Sequence, residues 1–206
     1  MKTQTKESQA ALTPEGVLGQ LKDGNKRFVE NRRLERDLVQ QVQTTGSGQF
    51  PLAIVLGCVD SRVPPEMVFD QGIGDIFSVR IAGNFVNTDI LGSMEFACKV
   101  AGAKLILVLG HSKCGAIMGA CDNVQLGNLT DMLDNLKPSV EAVTSSGTSG
   151  SSADTTFVQK VAETNVELTI ARIKKESLLL DEMSQSGEII IAGAMYDVET
   201  GVVTFH

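Results

Sequence analysis

The chain has 206 residues, 42% hydrophobic and 21% charged, a composition that suits one globular domain with a sizeable core and excludes wholesale disorder. No apolar run approaches the ~18 residues that cross a bilayer, so a membrane helix is not expected. Eighteen basic against 25 acidic residues give a net charge of -7, which repels phosphate backbones, and one Tyr with no Trp leaves little to stack on bases; no nucleic-acid partner is expected.

Residues 1–13 are polar, lack the apolar stretch of a signal peptide and read as a disordered lead-in to a single domain over 14–206. The expected compartment is the cytoplasm, or the periplasm if a signal has already been removed. Thr13 followed by Pro14 and Glu15 reads as a helix start, and the loosely amphipathic stretch behind it runs to about Arg32. Four short, nearly continuous apolar runs follow, at 52–58, 76–82, 104–110 and 188–195, as in strands buried on both faces of a parallel sheet. Helical patterns lie between them at 89–101, 115–123, 129–143 and about 157–183. The tail from Asp197 to Val203 reads as a turn into an antiparallel edge strand, and the Ser/Gly-rich segment 144–156 as a surface loop. The fold class is therefore α/β, with a mostly parallel central sheet of about four strands plus an antiparallel edge strand, flanked by helices.

Two segments carry the chemistry. Cys58-Val59-Asp60-Ser61-Arg62 opens at the carboxyl end of the first predicted strand, and His111-Ser112-Lys113-Cys114-Gly115 at that of the third. Sites of open α/β sheets form outside the carboxyl ends of strands, so the two segments can converge although His111 lies 53 positions beyond Cys58. Cys58, His111 and Cys114 then offer two thiolates and one imidazole, a donor set suited to Zn²⁺. Three protein ligands leave one position open, which is the catalytic pattern, and Asp60 is within reach of the metal or its water, with Arg62 placed to orient it. Four Cys are too few for a disulfide scaffold, and Cys98 and Cys121, among apolar neighbours in helical patterns, read as packing residues.

These motifs resemble those of the β-class carbonic anhydrases, as do Arg62-Val63-Pro64, Phe69-Asp70-Gln71-Gly72, Arg80-x-Ala82-Gly83-Asn84, Gly92-Ser93-x-Glu95 and Gly193-x-x-Tyr196-Asp197. The resemblance covers roughly residues 14–204. It implies reversible hydration of CO₂ to bicarbonate by one zinc per chain, held by Cys58, His111 and Cys114, with zinc-bound hydroxide oriented by an Asp60–Arg62 dyad. It also implies a homodimer or homotetramer in which an N-terminal helical arm packs on a partner subunit, and the first helix suits that role, having no obvious cover within the chain. Val86, Phe96 and Gly115 are candidates for the apolar CO₂ pocket; Phe96 stands where many relatives carry Tyr. Two alternatives use the same ligands: hydrolysis of CS₂ or COS, and a non-catalytic zinc-stabilised interaction module, against which the Asp60–Arg62 pair counts.

Overall fold

Valine, isoleucine and leucine dominate four runs that pair side by side in a five-stranded sheet. The structure is a computed structural model that describes residues 3–206. The strands are β1 (Ala53–Gly57), β2 (Ile76–Arg80), β3 (Leu105–His111), β4 (Ile190–Tyr196) and β5 (Val203–Phe205), in the spatial order β2-β1-β3-β4-β5. β1 to β4 are parallel, and β5 returns antiparallel on β4. Along β1 the side chains alternate. Ile54 and Leu56 join one core with Ile106 and Val108, whereas Ala53 and Val55 join another with Leu105 and Leu107. Burial on both faces explains why the runs are continuous rather than alternating. The exception is β2, where Ser78 and Arg80 are exposed because this strand is the sheet edge.

The helices, in chain order, are α1 (Lys6–Ala10), α2 (Pro14–Val29), α3 (Leu38–Thr45), α4 (Pro65–Val68), α5 (Thr88–Glu95), α6 (Gly115–Cys121), α7 (Gly127–Asp134), α8 (Lys137–Ser145), α9 (Thr155–Glu176) and α10 (Leu178–Gln185). A π turn over Phe96–Val100 continues α5. Among the described residues, no helix is long and apolar enough to cross a membrane.

Several expectations are corrected. The lead-in is not disordered throughout: Thr5 and Ser8 cap α1 reciprocally, and the buried Gln9 amide donates to Pro51 O at 2.7 Å and Ala101 O at 2.8 Å. Met1 and Lys2 of that segment lie outside the described residues. The first helix does have cover within the chain. α2 buries Val17 and Leu21 completely against the β3 side of the sheet, and Gly24 lies so close to the backbone of Phe69 that a Cβ there would sit 1.9 Å from its carbonyl oxygen. The helix read over 157–183 breaks at Ser177, which turns extended and caps α10 by accepting from Leu180 N–H. The one read over 129–143 breaks before Lys137, because Pro138 has no N–H with which to continue α7. α3 forms where the sequence suggests no element.

Candidate metal centre and active site

The strand order reverses between β1 and β3: β2 lies on one side of β1, and β3 and β4 on the other. A crevice opens above such a switch point, and both motifs start there. Gly57 at the end of β1 is level with Leu109 of β3, so Cys58 emerges beside the end of β3 on which His111 sits. Two residues on, Lys113 takes a left-handed backbone (φ +54°), and the chain turns into α6 with Cys114 as its N-cap residue.

Cys58, His111 and Cys114 are all buried, and their donor atoms lie within 4.8 Å of one another, the two Sγ atoms 4.0 Å apart. His111 Nδ1 is 2.9 Å from Ser112 O. A carbonyl can only accept, so Nδ1 carries the proton and Nε2 presents a lone pair. That Nε2 is buried without a hydrogen-bond partner, an arrangement that costs free energy unless a cation takes the lone pair. The thiols point the same way. The Cys114 thiol, His111 and the amides of Gly83 and Asp60 hold Cys58 well below the usual thiol range against the opposing effect of burial. A thiolate at Cys58, together with burial, pushes Cys114 up, with the Ile117 and Ala116 amides opposing. One thiolate, a neighbouring thiol that only a nearby cation would let ionise, and an imidazole lone pair thus converge on one point, and these residues fit Zn²⁺.

Beside this triad Asp60 and Arg62 form a forked pair. Asp60 Oδ1 accepts from Arg62 Nε and from Arg62 N–H, both at 2.9 Å, and Oδ2 accepts from Arg62 Nη2 at 2.7 Å. These bonds hold the Asp60 carboxyl at a pKa of about 2, so it stays an anion near neutral pH. Its Oδ2 is 4.0 Å from His111 Nε2, at the edge of the triad. Arg62 Nη2 also reaches Lys113 O at 3.3 Å, tying the two motif loops together.

Other residues hold these loops in place. Arg80, at the end of β2, donates to Cys58 O at 2.9 Å and to Asp60 O at 2.5 Å. Ser112 N–H donates to Tyr196 O at 2.9 Å, while its hydroxyl accepts from Val198 N–H at 3.0 Å. Gly83 N–H donates to Cys58 Sγ at 3.4 Å. The Arg80-x-Ala82-Gly83 segment was visible as a motif, but its role in gripping the Cys58 loop depends on the β1–β2 register and has no local signal.

The three pocket candidates do not meet around the triad. Val86 is fully buried in the same apolar cluster as Cys58 and Cys114. Gly115 starts α6 next to Cys114 and faces open space. Phe96 is instead half exposed on the π turn, its ring 6.1 Å from that of Phe77. It lines a groove of about 480 Å³ with Ile54, Val79 and Ser93, and none of Cys58, His111 and Cys114 borders that groove.

Known proteins share this arrangement. A family profile described as carbonic anhydrase matches residues 53–203. Carbonic anhydrase 2 of Mycobacterium tuberculosis is 36% identical over 187 residues, covering 88% of this chain and 87% of that protein. The carbonic anhydrase of Mycolicibacterium smegmatis is 35% identical over 184 residues, covering 89% and 88%. Among solved structures, a β-carbonic anhydrase of the fungus Aspergillus fumigatus superposes with a TM-score of 0.73 at 26% identity, covering 93% of this chain and 89% of that one. Tetrameric β-carbonic anhydrases of Sordaria macrospora share the fold at a TM-score of 0.70 and 24% identity, over 81% and 89%. With the profile spanning most of the sheet and both motif loops, and with relatives alike over nearly their whole length, the chain belongs to the carbonic anhydrase family, in its β class.

Proposed function

We propose that the chain catalyses the reversible hydration of CO₂ to bicarbonate and a proton, with one Zn²⁺ held by Cys58, His111 and Cys114. The observation that carries this reading is the Asp60–Arg62 fork, which sets an anionic carboxylate 4.0 Å from the unpartnered His111 Nε2. A purely structural zinc site needs no such carboxylate. Held by Cys58, His111 and Cys114, a zinc ion would supply Lewis acidity that makes water a stronger acid near neutrality, an effect that two thiolates would temper relative to three imidazoles. Asp60 accepts a hydrogen bond from the nucleophile and aims its lone pair, and Arg62 keeps both carboxylate oxygens fixed so that Asp60 acts as an acceptor. The neutral, linear substrate suits apolar surroundings such as Val86.

Self-association into a dimer or tetramer belongs to the same proposal. It is supported by exposed apolar side chains on α3 (Leu38, Val39 and Val42) and by the exposed edge strand β2. Stopped-flow CO₂ hydration, with zinc measured on the same sample, tests the reading. Zinc-dependent turnover that Asp60→Asn abolishes supports it, whereas a zinc-loaded protein inert toward CO₂ but active on COS establishes the CS₂/COS alternative.

A further inference from the structure

One buried polar group is not explained by the triad or by the Asp60–Arg62 pair. Asn165 lies in the middle of α9 among the buried side chains Val161, Ala162, Val166 and Thr169, and only 3% of it is exposed. An apolar residue would fill that position without the desolvation that a primary amide suffers there. Both ends of the amide are engaged: Nδ2 donates to Gly83 O at 2.8 Å, and Oδ1 accepts from the buried Ser139 hydroxyl of α8 at 3.3 Å.

Gly83 is the residue whose N–H donates to Cys58 Sγ. It sits in a left-handed turn (φ +80°), closed by Asn84 N–H donating to Ile81 O at 2.9 Å. A Cβ at Gly83 would lie 2.7 Å from Leu136 Cδ1, so the turn is wedged against the end of α7 and the start of α8. The carbonyl belongs to the 83–84 peptide and the N–H to the 82–83 peptide, and with the turn confined and the carbonyl held, rotation at Gly83 is restricted and its N–H is kept toward the sulfur. The path therefore runs from α8 through Ser139, α9 through Asn165 and the two peptide units that meet at Gly83 to Cys58.

We infer that Asn165 is a positioning residue for the Cys58 thiolate: by holding the Gly83 carbonyl it keeps the Gly83 N–H on the sulfur and tunes how that thiolate binds metal. The inference rests on the reading of Cys58 as a zinc ligand. Groups that orient a ligand from one shell out change metal affinity by about 10- to 100-fold when removed, although they never touch the ion. An N–H···S bond also withdraws charge from the thiolate, so its loss alters the metal–sulfur bond itself.

The test uses the full chain with Asn165→Leu, Asn165→Asp, Ser139→Ala and, as a control for fold destabilisation, Val161→Ala on the same helix. Expected results are stoichiometric zinc in every variant, but about 10-fold faster release to a competing chelator in both Asn165 variants. In the Co²⁺-substituted proteins, the thiolate-to-cobalt charge-transfer band moves to longer wavelength in the Asn165 variants and less so in Ser139→Ala. Val161→Ala, with a comparable fall in Tm, leaves release and band where they are. If one Asn165 variant fails to fold, the other and Ser139→Ala carry the same readouts. Unchanged release and an unchanged band in a folded Asn165 variant overturn the inference, as does a Val161→Ala protein that reproduces both changes. A parallel Cys58→Ala protein that keeps stoichiometric zinc refutes the ligand assignment, a failure recognisable separately from that of Asn165.

Discussion

Replacing Asp60 by Asn separates a functional pair from a structural one, because the two roles predict opposite magnitudes. The Arg62 side chain is 49% exposed and that of Asp60 17%, so their attraction is screened by water. Losing it should lower stability by less than ~1 kcal/mol. An amide can still accept from Arg62 N–H and Nε through one oxygen, but it sets an NH₂ where Oδ2 now accepts from Nη2 and lies 4.0 Å from His111 Nε2. The variant thus offers a donor where the reaction needs an acceptor. Removing a positioned proton acceptor costs about 10²- to 10⁴-fold in rate, or upward of about 2.7 kcal/mol of transition-state stabilisation.

The pH behaviour follows from the direction of the shift. The folded pKa of Asp60 is depressed to about 2, so the stability the pair contributes is present above the ordinary value of 3.8 and is lost as pH falls through about 2. Asp60 is therefore ionised throughout the neutral range, and Asp60→Asn should lower the kcat/KM profile for CO₂ uniformly rather than shift a limb. Stopped-flow hydration with a pH indicator, zinc analysis and a thermal melt on the same preparation read all three quantities. Turnover within about threefold of wild type, or a large fall in Tm with proportionate loss of activity, would show that the pair merely braces the loop.

Cys58→Ala, His111→Ala and Cys114→Ala should each lose the single zinc, whereas Cys98→Ala, whose thiol burial pushes up to about 12, should keep it; metal analysis after dialysis decides, and a zinc-replete His111→Ala contradicts the assignment. Gln9→Ala strands the Pro51 and Ala101 carbonyls and should cost about 1–3 kcal/mol in urea unfolding, with an effect below about 0.5 kcal/mol showing that α1 is dispensable. His206 should carry no protons for the site. Its N–H donates to Gly193 O, three residues and about 10 Å down β4 from Tyr196, which is level with His111. With no other histidine available, kcat should rise with the concentration of a near-neutral buffer while kcat/KM stays flat, and a kcat that collapses on deleting His206 refutes this.

What could be read from the residues divides along physical lines. The parallel strands were legible because burial on both faces leaves unbroken apolar runs, and the Cys58 and His111 motifs were legible because their ligand spacing is set by one turn of backbone. The ends of long helices were not. Ser177 resembles any polar helix residue until its hydroxyl is seen capping α10 and donating to Glu95 at 2.6 Å. Helix α3 has no such signal because it is short and buries Gln41, while its apolar side chains Leu38, Val39 and Val42 stay exposed. It is secured by Asp37 at its N-cap and by Gln41, whose side-chain Oε1 accepts from Ile73 N–H at 3.1 Å. Asn165 illustrates the same limit at the site: one polar residue in an apolar stripe reads as noise until the carbonyl it holds is known.

The grip of Arg80 on the Cys58 and Asp60 carbonyls has a consequence for motion. Arg80 closes the outermost strand, and outer strands open by local unfolding at far lower free energy than the centre of a sheet. Each fraying of β2 would release both carbonyls together and let the loop that carries a thiolate and an acceptor carboxylate relax. Amide exchange in the Cys58–Val63 loop should then share the opening rate of β2 and not the slower rate of β3, although His111 is anchored on β3. Any contact that shields β2 from fraying would stiffen the catalytic loop without touching it.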